Sequence, residues 1–237
     1  MAKYCIIGNG LIANALKKKV KEYSFYPASD TKYVFYLGGT THKEFEKNPF
    51  YFFSKETDEI YRLMHLQKTQ KFKLFYPSSA LVYEHNTQFT DMKTMLEKRV
   101  LDTGGIVFRI FPVYGTEEKK TVISQWCRQM MKGEQPVIYG DGTQTRNFIY
   151  VDDVADQMLK LADKPSGIYD IGSSEVVSFN AIVYLINQSL GTNITPIYTD
   201  KSQGYAQTGV VCQNPLPTKV TLAEGINKIC NYIYDNE

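Results

Sequence analysis

The chain has 237 residues, 43% hydrophobic and 14% aromatic, enough for one well-covered core with a small second lobe and too apolar for a disordered polypeptide. Twenty-seven basic against twenty-five acidic side chains leave a formal charge of +2, and the lysines are dispersed, which excludes a dense nucleic-acid footprint. No apolar run approaches the roughly twenty residues that cross a bilayer, and the N-terminus leads into a strand instead of a leader peptide, so a soluble, cytoplasmic protein is expected.

Residues 3–7 form a short apolar run followed by Gly8, Asn9 and Gly10 and then by a helical stretch over 11–20. A nucleotide-binding sheet begins with such a strand, tight turn and helix, and purely structural turns of similar spelling are also common. The glycines permit a close approach to a pyrophosphate, Leu11 and Ile12 offer backbone N–H groups at the helix start, and Ala13 keeps helix and strand close. Residues 23–26 and 32–37 both read as strands, yet about six residues separate them, whereas parallel neighbours need a crossover of about a dozen or more. Either they are not parallel neighbours, or one strand and helix of the usual nucleotide-binding half are missing. Asp30 lies at the distance from Gly10 at which dinucleotide folds place a ribose-binding acid, and it also suits a turn with Ser29 and Thr31.

A helix is expected over 48–67, and a strand over 72–76 that residues 77–79 end. A helix over 89–100 and a strand over 106–111 continue the alternation, which makes the class α/β: a Rossmann-like parallel sheet flanked by helices. Residues 116–237 read mainly as a small substrate lobe, with residues 1–115 as the core, to which about 150–175 return. The lobe carries a helix around 122–130, a hairpin-like stretch over 137–150, helices near 154–161 and 179–190, an irregular segment over 201–217, and a last helix over about 222–234. Cys5, Cys127, Cys212 and Cys230 stand apart without C-x-x-C spacing, which implies reduced core thiols and no metal site.

Several stretches, in order, carry a resemblance: residues 7–13 (IGNGLIA), 33–39 (YVFYLGG), 78–83 (SSALVY), 89–97, 138–155 (IYGDGTQTRNFIYVDDVA), 169–173 (YDIGS) and 216–226 (LPTKVTLAEGI). Together they resemble the extended short-chain dehydrogenase/reductase superfamily, the NAD-dependent nucleotide-sugar epimerase and reductase branch, with a truncated nucleotide-binding half. The resemblance implies that NAD or NADP is held by Gly8, Gly10, Leu11, Ile12, Asp30, Gly38, Gly39 and Lys93. It implies that Ser79 hydrogen-bonds the sugar, although the same residue suits a strand-end cap.

The family's Y-x-x-x-K reads here Phe89-Thr90-Asp91-Met92-Lys93, with Glu97 four residues on, so phenylalanine stands where a tyrosinate would move the proton. Lys93 is then either a ribose or phosphate contact or a solvated lysine. A literal Y-x-x-x-K at Tyr51 to Lys55 precedes Ser79 in the chain and is read as coincidence, while Tyr83 and His85 are the nearby groups able to exchange a proton. Arg146 resembles the arginine that pairs with a sugar-nucleotide diphosphate, against a surface salt bridge to Asp141 or Asp152. Val137 and Tyr139 are placed in its base pocket.

Pro112 stands where the family often has a substrate-contacting asparagine, and Ala80 and Leu81 stand where dehydratases carry an acid pair, which disfavours dehydration. Two readings follow: an epimerase or ketoreductase acting on an NDP-sugar, or a degenerate relative that binds a nucleotide or nucleotide-sugar without redox turnover. The family often dimerises through the helices corresponding to about 52–67 and 89–100, so a homodimer is a weaker implication.

Overall fold

The buried apolar runs of this sequence pair side by side in one parallel sheet, whose two faces are both covered as such sheets require. The computed structural model describes residues 3–84, 86–200 and 209–237. In chain order the elements are β1 (Tyr4–Ile7), α1 (Leu11–Lys19), β2 (Tyr23–Ser24), β3 (Tyr33–Tyr36), α2 (His42–Phe45), α3 (Pro49–Leu66), β4 (Lys73–Ser79), a 3-10 turn (Ala80–Tyr83), α4 (Gln88–Asp102), β5 (Ile106–Ile110) and β6 (Val113–Tyr114). There follow α5 (Val122–Met131), β7 (Val137–Tyr139), β8 (Thr145–Arg146), β9 (Ile149–Tyr150), α6 (Val151–Leu161), β10 (Gly167–Ile171), β11 (Val177–Ser178), α7 (Phe179–Leu190), β12 (Ile197–Thr199) and α8 (Leu222–Asn236). Two compact units arise, one from residues 1–110 and 155–171, the other from 111–154 and 172–237.

The first unit is built on a six-stranded sheet in the order β10-β5-β4-β3-β1-β2, with every pairing parallel. The α/β, Rossmann-like expectation holds. On one face Phe35, Phe75 and Phe108 stack across three strands at 4.2 and 5.7 Å between ring centroids. On the other face Val34, Tyr36, Leu74, Tyr76 and Val107 meet Ile60 and Leu63 of α3 and Met92, Leu96 and Val100 of α4. Helix starts are set locally: Asn48 caps α3 with Pro49 at its first position, and Thr87 caps α4 in a reciprocal box with Thr90.

One open reading is resolved and one expectation changes. The strands at 23–24 and 33–36 are indeed not neighbours, because they flank β1 on opposite sides, and the residues between them hold no helix. β4 does not end at Tyr76 but runs on to Ser79, through a proline. Its pairs with β3 stop at Phe35↔Phe75, so beyond that point it is paired to β5 alone, and the missing N–H of Pro77 disturbs no ladder on its open side.

In the second unit α5, α7 and α8 pack together, with Trp126 set edge-on to Phe179 at 5.7 Å. The expected hairpin over 137–150 is absent: β7 pairs in parallel with β12, β8 antiparallel with β11, and β9 in parallel with β6. Gly140 and Gly142, at φ 85° and 76°, take left-handed backbone in the segment between β7 and β8. All four cysteines are buried free thiols, and among the described residues no helix is long and apolar enough to cross a membrane. Residues 201–208 of the expected irregular segment lie outside the described residues, and 209–217 hold no regular element.

Leu96 is fully buried where α4 meets the sheet. Leu96→Ala is expected to cost about 2–5 kcal/mol through lost burial and an unfilled cavity, read in urea denaturation as a lower midpoint at unchanged slope.

Candidate functional site

The C-terminal edge of a parallel sheet is where loops and helix starts converge, and open α/β sheets place ligands there. After β1, Gly8 adopts φ +133°, and a Cβ on it would lie 2.5 Å from the Leu37 carbonyl oxygen, so only glycine lets the loops after β1 and β3 touch. Gly10 is the N-cap of α1 and provides no side-chain cap, and among the described residues a Cβ there would meet nothing within 4 Å. The N–H groups of Leu11, Ile12 and Ala13 at this helix start fit a phosphate. Lys17, one helix turn beyond, donates to the Gly8 carbonyl at 2.7 Å and to Asn9 Oδ1 at 3.0 Å, a brace for the turn that sequence spacing did not reveal.

Asp30 is not part of this edge. It sits exposed in the turn at 28–31, before β3 begins, while the glycine turn follows the end of β1; Tyr4 of β1 pairs with Tyr33 of β3, so a whole strand, roughly 13 Å, separates them. The ribose contact from Asp30 is therefore corrected to a turn residue.

After β3, Gly38 and Gly39 lead to Thr40, whose backbone N–H donates to Glu56 Oε2 at 2.9 Å. Glu56, on α3, is 1% exposed, and its Oε1 accepts from the Tyr76 hydroxyl at 2.7 Å and from Lys93 Nζ at 2.6 Å. Lys93 also donates to the Pro77 carbonyl at 3.2 Å and lies 5.1 and 5.5 Å from the Tyr76 and Phe89 ring centres. At 2% exposure it is not a solvated lysine, and its ammonium is committed to protein partners. Burial beside the Glu56 carboxylate holds the Tyr76 phenol well above its usual range, so it stays protonated. Breaking such a pair from one side costs about 3–5 kcal/mol.

Phe89, 3% exposed, packs edge-on against His42 at 5.3 Å and Phe45 at 5.7 Å. Ser79 ends β4 half-buried, and its Oγ accepts from Leu81 N–H at 3.2 Å, so the capping role is present. Its neighbour Ser78 is buried and donates to Glu97 Oε1, which with Oε2 receives a two-pronged Arg109 guanidinium at 3.0 and 2.6 Å. That contact holds the Arg109 guanidinium charged far above its ordinary range. Arg109 stacks over Tyr83, whose hydroxyl donates to Asp170 at 2.8 Å, so Tyr83 is engaged in structure. His85 lies outside the described residues. Tyr51 and Lys55 are exposed on the first turns of α3.

Arg146 belongs to the second unit. It is half-buried on β8, its guanidinium donates to the Thr145 carbonyl at 2.8 Å and stacks 5.7 Å from the Phe179 ring. Val137 and Tyr139, on β7, are 36% and 47% exposed. The residues around them are mostly structural. Asn147 is 1% exposed and donates to the Ser173 and Glu175 carbonyls at 3.0 and 2.6 Å, and Asp153 accepts from the N–H groups of Lys219 and Val220. A Cβ on Gly142 would strike Asn180, which itself donates to the Asp141 carbonyl.

Residues 97–172 match the model of the NAD dependent epimerase/dehydratase family. This match covers about a third of the chain, which is similar to that family over those residues. A Methanocaldococcus jannaschii protein provisionally named UDP-glucose 4-epimerase is 30% identical over 139 residues, 55% of this chain and 46% of its own length. The matched stretch thus spans about half of that curated relative. Among solved structures, a UDP-N-acetylglucosamine 4-epimerase from Methanobrevibacter ruminantium, in complex with UDP-N-acetylmuramic acid, superposes with a TM-score of 0.79 at 20% identity, covering 88% of this chain and 78% of that one. A tyrosine-to-phenylalanine mutant of UDP-glucuronic acid 4-epimerase from Bacillus cereus, in complex with UDP-4-deoxy-4-fluoro-glucuronic acid and NAD, does so at 0.72 with 20% identity, covering 96% and 80%. These likenesses establish the shared fold.

Asn147→Ala would leave a buried and a part-buried carbonyl without this donor. A loss of about 2–3 kcal/mol is expected in thermal or denaturant unfolding, and an unchanged midpoint would deny this side chain its structural part.

Proposed function

We propose that the chain binds a nicotinamide dinucleotide and a nucleoside-diphosphate sugar, as members of the family it resembles do, but does not complete the proton-coupled hydride transfer of an epimerase or ketoreductase. The observation that carries this reading is Phe89. At the position the resemblance gives to the proton-moving tyrosine stands a buried ring enclosed by His42, Phe45 and Lys93, and a phenyl group has no proton to exchange. Retained binding is supported by the tyrosine-to-phenylalanine mutant described above, whose complex holds both an NDP-sugar and NAD.

On this reading the phosphates of the dinucleotide sit at Gly8, Gly10, Leu11 and Ile12, beside the Gly38–Gly39 loop, and a bound cofactor would supply the hydride acceptor. Arg146 takes the sugar-nucleotide diphosphate through its planar fork of donors, and Val137 and Tyr139 contact the base. The alternative, turnover by an epimerase or ketoreductase with Ser79 as the polar group on the sugar, draws support from one feature: capping Leu81 uses only an acceptor lone pair of Ser79, which leaves its O–H able to donate. A homodimer through α3 and α4 is supported by the exposed Phe50, Tyr51, Phe53 and Tyr61 on α3.

Addition of UDP- or dTDP-sugars, and of NAD(H) or NADP(H), is expected to raise the melting temperature, because a ligand held by the native state alone stabilises it. Sugar isomerisation and cofactor absorbance changes are expected to be absent. Failure of every sugar nucleotide to shift the melting temperature sinks the binding reading, and turnover by the unaltered protein restores the epimerase or reductase reading in its place.

A further inference from the structure

We infer that Glu56 withholds the Lys93 ammonium from any ligand on the C-terminal edge of the first unit's sheet, making Lys93 a positioning residue and Glu56 the determinant of how weakly a nicotinamide ribose is held. The inference rests on reading that edge as the cofactor's. The residues present do not fit a lysine-to-ribose contact, although the glycine turn fits a phosphate.

Three observations converge. The carboxylate is held from three directions, by the Thr40 N–H of the loop after β3, the Tyr76 hydroxyl of β4 and the Lys93 ammonium of α4, with oxygen contacts of 2.9, 2.7 and 2.6 Å. It therefore has no freedom to follow the lysine. The ammonium spends a second donor on the Pro77 carbonyl at 3.2 Å, and its side chain is 3% exposed. The backbone also closes over the pair: a Cβ on Gly39 would lie 3.3 Å from both Glu56 Oε1 and Lys93 Nζ. A ribose hydroxyl that recruited Lys93 would have to strip it from a buried carboxylate and leave that charge uncompensated, which opposes the exchange more strongly than one neutral hydrogen bond favours it.

Lysine acylation followed by mass spectrometry tests the pair without any ligand. Lys93 should stay unlabelled in the native protein while Lys43 and Lys98 react, and in Glu56→Gln it should become labelled; native Lys93 reacting at the rate of Lys98 overturns the inference. Fluorescence titration with NADH supplies the second arm. Glu56→Gln should tighten Kd at least fivefold over the native chain, and the double variant Glu56→Gln with Lys93→Gln, which removes both charges and remains informative if the single variant does not fold, should bind within twofold of native. A tenfold loss in the double variant would mean that Lys93 already serves the cofactor, and overturns the inference. Absence of NADH binding in every protein would sink the cofactor reading alone, since the labelling arm still decides where the Lys93 ammonium resides.

Discussion

The first unit depends on one buried ion pair. Glu56 and Lys93 come from two different helices, and each would be an uncompensated charge in the core without the other. Because Glu56 also takes the Thr40 N–H and the Tyr76 hydroxyl, the pair fastens α3, α4, the loop after β3 and the end of β4 at one point. A second carboxylate repeats the device one strand further along, where Glu97 holds Ser78 of β4 and Arg109 of β5. Together they give the strand ends a polar lining whose groups are satisfied by one another. Such lining orders the edge, at the cost of leaving fewer groups for a ligand.

Most of the fold was legible because its signals are local. Asn48 with Pro49, and Thr87 before an apolar stripe, mark helix starts by capping chemistry that needs no tertiary information. The glycine turn was equally plain. The hairpin over 137–150 misled because its short strands find partners far away in sequence, at 113–114, 177–178 and 197–199, and pairing over such distances leaves no local trace. β4 was cut short by treating Pro77 as a terminator, which is sound only for a strand paired on both sides.

The candidate site was less legible, and the reason lies in the helix stripes. Glu56 stands in register with Ile60 and Leu63, and Lys93 with Phe89, Leu96 and Val100, so each charge sits on a face meant for burial. Two opposite charges placed that way on neighbouring helices announce an ion pair, but reading Lys93 through the family pattern drew attention to a ligand instead. The segment matched to the family model, residues 97–172, begins after Ser79, Phe89 and Lys93. Within it several side chains serve packing: Asn147 and Asp153 pin distant loops, and Asn180 fills the space beside Gly142.

The two-residue β2 lies outermost, and among the described residues its strand partner is β1 alone. A sheet that is trimmed from its rim keeps every inner register, because each remaining strand still reads its position from the neighbour on its other flank. The reversal of strand order between β1 and β3, the place where open sheets of this kind part to admit ligands, therefore survives the shortening. Economy at the margin of such a sheet erodes the grip on the far end of a long ligand first and leaves the central crevice for last.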